Sequence, residues 1–341
     1  MTIAAGAAEI AGHPVRAWSG VPALLGLLVG AFLFHIAVGA KPLPLSTVTE
    51  AIVAFDPKVF DHVIILNLRL PRAVLAIVVG ASLSLAGALM QGVTRNPLAD
   101  PGLLGLTAGA SLAVVMVTAL TGMASMALVP WIAMAGALAA AIAVYCIAHF
   151  VPGGATPLSL TLSGAAISAF LGALISIAHL LGGDTFENLR VWLTGGLAGR
   201  ELGLLRYVGP WMAIALLAGL LLAPRVTVLA MGEEVAQGLG VRTGPLKVQL
   251  LAVVVVLTAC SVALAGPLGF VGLVIPHVVR LYVGSDYRWI VPYAALTGAI
   301  YLLGVDIIAR VAIPPREIST GIITAMVGAP LFVHLVRQRT R

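Results

Sequence analysis

The sequence has little charge and almost no cysteine. Asp, Glu, Lys and Arg together make up 9% of its 341 residues, against about 25% in an average globular protein. So few polar groups cannot cover a folded surface in water. No Asp, Glu, Lys or Arg occurs between Asp100 and Asp184, and that stretch could hold about three membrane-crossing helices of ~20 residues each. The scarcity of charge excludes a soluble domain.

Motifs of catalysis and nucleotide binding are also missing. The two cysteines, Cys146 and Cys260, stand alone in apolar runs, which favours small packing residues over a disulfide or a metal pair. The histidines show no HExxH spacing, and neither GxSxG nor the phosphate-binding GxxxxGK[ST] occurs. We therefore expect no catalytic residue, no bound metal and no cofactor in this chain.

Long apolar runs rich in Leu, Ala, Val and Gly are what the sequence does contain. Within a bilayer only α-helices and closed β-barrels satisfy the backbone, and barrel strands alternate apolar with polar residues. The runs here are continuous, so the predicted fold class is all-α, a polytopic membrane protein with about ten transmembrane helices. The predicted spans are 22–40, 73–93, 103–121, 126–149, 159–182, 206–223, 248–265, 267–283, 289–309 and 318–336.

We predict a single transmembrane domain over residues 1–341, with both termini on one side because the number of spans is even. The basic C-terminal residues favour the cytoplasm for that side, so 1–20 is expected to be a cytoplasmic tail. Residues 21–40 lack a clear cleavage site and predict a first membrane helix rather than a removed signal peptide. This topology puts nearly half of the Lys and Arg residues outside, where a carboxylate-bearing protein partner would explain them.

Two segments between spans have distinct patterns. Residues 42–68 are too polar to cross a membrane and predict either an amphipathic helix on the outer surface or a plain extramembrane loop helix. The cytoplasmic loop 224–247 contains a short amphipathic stretch that begins with two glutamates and ends with two glycines. Such a helix could dock into a groove on a partner protein, and an ordinary interfacial loop is the alternative.

The predicted spans contain almost no carboxylates, and Asp306 and Glu317 fall near the outer ends of theirs. Secondary carriers driven by protons or sodium usually keep ionisable groups near the middle of the membrane. Their absence argues against a carrier that works alone, so another subunit is expected to supply the energy.

Several long motifs, in order, resemble the iron-siderophore/cobalamin permease family, the membrane subunits of type II ABC importers. The resemblance covers about residues 20–337. The motifs are RLPR at 69–72, AGALMQ at 86–91, NPLADPGLLG at 96–105, GPLGFVGLVIPH at 266–277 with Arg280, DIIAR at 306–310 and GAP at 328–330.

The resemblance implies a permease dimer of identical or related chains in a bacterial inner membrane. It also implies two cytoplasmic subunits that bind ATP and magnesium, and a periplasmic or lipid-anchored substrate-binding protein. By motif, Arg69, Arg72 and Arg310 would receive glutamates of that binding protein. The residues implied to couple the permease to the ATPases are Gly232, Glu233, Glu234, Val235, Ala236, Gln237, Gly238, Leu239, Gly240 and Val241.

A ferric siderophore is the predicted substrate, because the sequences at 94–97 and 286–289 look closer to the siderophore branch of that family. Cobalamin and haem remain alternatives within the family. Outside it, the alternatives are a secondary carrier and a structural membrane protein. The net charge of +6 fits basic loops beside lipid headgroups, so we expect no nucleic-acid partner.

Overall fold

The computed structural model describes residues 14–39, 41–102, 104–121, 128–152, 156–181, 192–200, 202–314 and 316–339. Within these ranges the chain is helical except for connecting loops and an isolated bridge between Ile313 and Arg316. A π-helical segment covers Ile65–Arg69, and a 3-10 turn covers Leu202–Leu204. The α-helices are α1 (Pro14–Ala37), α2 (Leu45–Val53), α3 (Phe60–Ile64), α4 (Leu70–Thr94), α5 (Leu106–Thr121), α6 (Val129–Phe150), α7 (Pro157–Leu181), α8 (Leu205–Ala230), α9 (Glu233–Gly238), α10 (Thr243–Ala265), α11 (Val271–Val283), α12 (Tyr287–Val311) and α13 (Thr320–Arg339).

The prediction of about ten membrane helices is confirmed. In the described part of the chain, 7 helices are long and apolar enough to cross a membrane, and three shorter apolar helices accompany them. The shorter ones are α5, α11 and α13, and each overlaps a predicted span. The helix boundaries differ from the predicted ones by up to eight residues, at the start of α1, because turns and caps decide where a helix ends and hydropathy does not report them.

The helices alternate in direction between two ends of the bundle. At one end the start of α4 meets the end of α12, where Arg72 bonds Asp306; we call this the arginine end. At the other, the α9 end, Thr227 of α8 bonds Asp286, the N-cap of α12, at 2.9 Å. The helices α4 and α12 therefore run in opposite directions between these two ends, since Gly92 near the end of α4 lies against Tyr287 at the start of α12.

The core is built around α4, which is buried along most of its length. Glycine pairs bring its neighbours very close. A methyl group on Gly80 would collide with the backbone of Gly298 in α12, and one on Gly87 with the backbone of Gly272 in α11. Small residues permit such close helix packing in lipid, where burial alone gives little driving force.

The helix α11 begins inside the membrane. Its 13 residues span ~20 Å, less than the ~30 Å hydrocarbon core. It starts after Phe270, which has a left-handed φ of 68°, beside Gly87, which lies two turns before the end of α4. The helix predicted over 267–283 begins at Val271, because the residues before it form a partly buried loop.

That loop is tolerated because other protein segments cover it. The segment 192–200 packs against it, and the Gly196 amide donates to the Ala265 carbonyl at 2.7 Å. The Gly321 amide in turn donates to the Gly195 carbonyl at 3.0 Å. Irregular backbone at membrane depth requires such internal partners, since lipid offers none.

The surface segment predicted at 42–68 is also helical. It forms α2, α3 and the π-helical segment that leads into α4. Val48 and Ala51 are buried, whereas Leu45, Ile52 and Val53 are exposed. Only part of the predicted apolar face therefore packs on the bundle.

Candidate partner-binding sites at the two ends of the bundle

A buried carboxylate organises the arginine end. Asp306, one turn before the end of α12, has a fully buried side chain. The Arg72 Nε donates to its Oδ2 at 2.6 Å, and the Arg72 Nη2 donates to its Oδ1 at 3.1 Å. Two parallel bonds between a guanidinium and a carboxylate are the strong, geometrically specific form of this ion pair. The pair locks the start of α4 to the end of α12.

Three further side chains complete this cluster. The Arg310 Nη2 donates to the Asp306 Oδ2 at 3.2 Å, and the Thr320 hydroxyl donates to Oδ1 at 2.8 Å. The His35 Nε2 lies 2.9 Å from the Asp306 Oδ2 and 2.9 Å from the Arg310 Nη2. One carboxylate thus holds together α1, α4, α12 and α13. A buried charge needs this many partners, because an unpaired one is very costly.

A second carboxylate closes the cluster toward the surface. The Arg72 Nη1 donates to the Glu317 Oε2 at 2.6 Å, and the Glu317 side chain is 39% exposed. Arg72 therefore presents one edge to a buried acid and the other to an acid that water reaches. The bond from Arg72 to Asp306 is structural, whereas its bond to Glu317 can be replaced by a bond to another acceptor.

The arginine Arg69 is held in a different way. It ends the π-helical segment, and its guanidinium donates to the carbonyls of Ile36, at 2.7 Å, and Ala37, at 2.9 Å. It also donates to the Lys41 carbonyl. The carbonyls in the last turn of α1 have no partner within their own helix, so a cation there is favourable.

The three arginines with predicted docking roles thus lie together but are not free on the surface. Arg69, Arg72 and Arg310 are 7%, 8% and 6% exposed. A guanidinium at this depth requires acceptors, and each of the three finds them inside the chain. Their docking role stays a prediction.

All three border one cavity of about 570 Å³ that opens at the arginine end. Its lining also includes Lys41, Arg200 and Glu317. The pairing of Asp306 with Arg310 is indicated by the sequence alone, because the two residues are four apart on one helix. No local pattern indicates His35, which lies 271 residues from Asp306.

At the α9 end, the predicted short helix is present. It follows Gly232, with φ 126°, and Gly240 beyond its end has φ 79°. These left-handed backbone angles suit glycine and let the chain turn sharply on both sides of α9. The docking role predicted for residues 232–241 stays a prediction.

The glutamate Glu233 fastens α9 to α10. The Lys247 ammonium donates to its Oε2 at 2.6 Å, and the Thr243 hydroxyl donates to its Oε1 at 3.1 Å. The hydrogen bond from Lys247 holds the pKa of Glu233 below its usual range. The predicted apolar face is divided, because Ala236 is buried whereas Leu239, 64% exposed, points away from the bundle. The exposed part, which also includes Val235 and Met231, is available to a partner.

A polar contact near the α9 end joins three of the sequence motifs. The Gln91 amide of α4 donates to the Gly272 carbonyl of α11 at 3.2 Å, and the Arg280 Nη1 donates to the Gln91 Oε1 at 2.6 Å. Arg280 also donates to the Tyr287 hydroxyl at 3.0 Å. These residues therefore tie α4, α11 and α12 together.

Among the described residues, no group of three or more His, Cys, Asp or Glu side chains could hold a metal ion. The two ends offer charged and apolar surfaces for partners instead. The family model for the FecCD transport family matches residues 27–338. The chain belongs to the FecCD transport family. As a FecCD member it is a transmembrane permease subunit of an ABC importer and is not itself catalytic.

Named FecCD proteins match over nearly their whole length. The chain is 41% identical to the ferric enterobactin permease FepD of Escherichia coli, over 94% of this chain and 96% of that one. It is 40% identical to the cobalamin import permease BtuC of Halobacterium salinarum, over 89% and 82%. A solved inward-facing transporter, assigned to the metal-chelate ABC type, superposes with a TM-score of 0.81 at 29% identity, over 96% of this chain and all of that one.

Proposed function

We propose that this chain is the permease subunit of an ABC importer that moves a ferric siderophore from the periplasm to the cytoplasm. Support for the substrate comes from the similarity to FepD and to a metal-chelate transporter. The structural feature that carries the proposal is the pair of specialised ends, a basic cavity at one and the exposed apolar surface of α9 at the other.

In this proposal the arginine end faces the periplasm, and the α9 end and both termini face the cytoplasm of a bacterial cell. The basic cavity receives carboxylates of a substrate-binding protein. A second permease, identical or related, completes the transport path. Two ATPase subunits bind ATP and magnesium and contact residues 232–241, so this chain needs no nucleotide site of its own.

Transport then follows an alternating-access cycle. Closure of the ATPase dimer moves α9, and the bonds of Glu233 to Lys247 and Thr243 pass that movement to α10. Docking at the cavity favours one of two arrangements of the bundle only if the partner binds that arrangement more tightly. We propose that the partner's affinity for the two arrangements differs because of the exchangeable contact between Arg72 and Glu317.

Cobalamin and haem are the alternative substrates, and cobalamin is supported by the similarity to the BtuC protein. A secondary carrier is less well supported. The buried carboxylate Asp306 is bonded to two guanidiniums, so it offers no vacant site for a transported proton or sodium ion.

Uptake into cells that lack this gene tests the proposal. The cells receive the wild-type gene and are offered radiolabelled ferric enterobactin, cobalamin or haem in parallel. Restored iron uptake supports the siderophore assignment, whereas movement of only cobalamin or haem replaces it with that substrate. A matched strain carries ATPase subunits that bind ATP without hydrolysing it. Uptake that persists in this strain would contradict the importer and favour the secondary carrier.

A further inference from the structure

The arginine Arg200 lies at the arginine end on a firmly held piece of backbone. It ends the segment 192–200, whose Leu197 is fully buried. The backbone of Leu197 is also held in place, since its amide donates a hydrogen bond to the Thr320 hydroxyl at 3.4 Å. Gly199, with φ 66°, turns the chain directly before Arg200. The position of this arginine is therefore set by the fold.

The charge on Arg200 has no counter-ion among the described residues. Its Nε donates a hydrogen bond to the Gly196 carbonyl at 3.3 Å. Burial alone lowers the pKa of this guanidinium, and no carboxylate opposes the effect. Arginine stays charged even so, and a half-buried cation without an acid is unfavourable.

Other cations around the same cavity are partly or fully compensated. Lys41 bonds Asp61 at 2.7 Å. Arg72 and Arg310 share Asp306, and Arg72 also bonds Glu317.

Two positive charges remain without a carboxylate in the described part of the lining, those of Arg69 and Arg200. Arg69 is saturated by main-chain carbonyls. Arg200 is therefore the cation with the most unused capacity to bind an acid.

A neighbouring donor is unused as well. The buried Arg310 Nε has no hydrogen-bond acceptor in the described structure. Buried donors are nearly always satisfied, and the other two nitrogens of this guanidinium are bonded inside the chain. Arg310 and Arg200 line the same cavity.

We propose that Arg200 is a fourth docking arginine, which binds a glutamate or aspartate side chain of the substrate-binding protein inserted into this cavity. This inference rests on the proposed function. The choice of a carboxylate follows from charge complementarity, since Arg200 has no acid partner, whereas Arg72 in the same lining is paired with the carboxylate of Glu317. A second one entering from the partner would neutralise Arg200 with the same chemistry.

Affinity measurements on the assembled importer test this role. The permease and its ATPase subunits are reconstituted in lipid nanodiscs, and the probe is the substrate-binding protein of the same importer, loaded with ferric enterobactin. Loss of a charge-assisted pair in a partly buried pocket predicts that Arg200→Gln weakens Kd about 30-fold. The matched control is Arg206→Gln, an exposed arginine at the same end outside the cavity lining, for which we expect less than threefold.

A covalent readout checks the contact directly. Arg200→Lys keeps the charge and supplies an amine, which a water-soluble carbodiimide joins to a bound carboxylate. We expect a cross-link from residue 200 to an Asp or Glu of the binding protein, and far less from Arg206→Lys. Assembly of each variant is verified by gel filtration before binding is measured.

The outcomes separate the inference from the function on which it rests. Wild-type affinity in Arg200→Gln overturns the role of Arg200 while the importer stands. If Arg200→Gln binds the substrate-binding protein normally but no longer binds free ferric enterobactin, the docking role is wrong and Arg200 belongs to a chelate site. If the wild-type complex binds no substrate-binding protein at all, the proposed function fails first.

Discussion

Replacing Asp306 with asparagine should destabilise the whole arginine end. The substitution keeps the shape of the side chain but removes its negative charge. It also places an amide donor opposite the guanidiniums of Arg72 and Arg310, which lie 2.6 Å and 3.2 Å from the carboxylate. Both arginines are almost fully buried, so water cannot replace the lost partner.

The size of the effect follows from burial. Removing one partner of a buried ion pair costs about 3–5 kcal/mol, whereas an exposed pair contributes about 0–1 kcal/mol. Glu317→Gln is the matched control, because it makes the same carboxylate-to-amide change on Arg72 at a side chain that is 39% exposed. We expect a large loss of stability for Asp306→Asn and a small one for Glu317→Gln.

Thermal unfolding of the purified protein in detergent provides the assay, with gel filtration to follow the folded fraction. Adding Arg72→Met to Asp306→Asn should recover part of the loss, because it removes one of the stranded charges. Equal unfolding temperatures for Asp306→Asn and Glu317→Gln would refute the reasoning. So would strictly additive effects of Asp306→Asn and Arg72→Met, since contacting residues are expected to couple.

Three further expectations concern function and pH. Glu317→Gln frees the outer edge of Arg72, so the substrate-binding protein should bind more tightly, by up to about fivefold, in nanodisc titrations. Weaker binding would contradict the replacement of Glu317 by a carboxylate of the binding protein. Leu239→Glu puts a charge on the exposed face of α9 and should abolish ATP-driven uptake while the permease still folds; unchanged uptake would remove α9 from the ATPase contact. The pKa of Glu233 is lowered by Lys247, so its stabilising effect is complete at neutral pH and declines only as pH falls below the ordinary range for Glu. A difference in stability between wild type and Glu233→Gln that is constant from pH 6 to 8, and smaller in acid, is the expected calorimetric result.

The spans and α9 could be predicted from sequence because their signals are local. A run of about 20 apolar residues is nearly sufficient to define a membrane helix. The glycines at 238 and 240 indicated the end of α9 for the same reason. The start of α11 at mid-membrane could not be predicted in this way, since hydropathy reports how apolar a residue is and not how deep it lies.

The arginine end was predicted only in outline. The motif arginines were identified as docking groups, but of their internal partners only Asp306 for Arg310 was indicated by spacing. Their burial depends on pairs such as Arg72 with Asp306, which are separated by 234 residues. Such a pair is visible only once α4 and α12 have packed through Gly80 and Gly298. Arg200 belongs to none of the sequence motifs, and only the structure shows that it lines the same cavity as the three motif arginines.

The position of α4 has a mechanical consequence. This helix carries Arg72 in its first turn and Gln91 in its last, so its 25 residues form one strut of ~38 Å between the two ends. Backbone contact at Gly80 and Gly87 leaves it no slack against α12 and α11. We therefore expect a displacement of Arg72 along the axis of α4 to be felt at α11, through the direct contact at Gly87 and the Gln91 bond to the Gly272 carbonyl. We therefore expect the two ends of this permease to move together rather than independently.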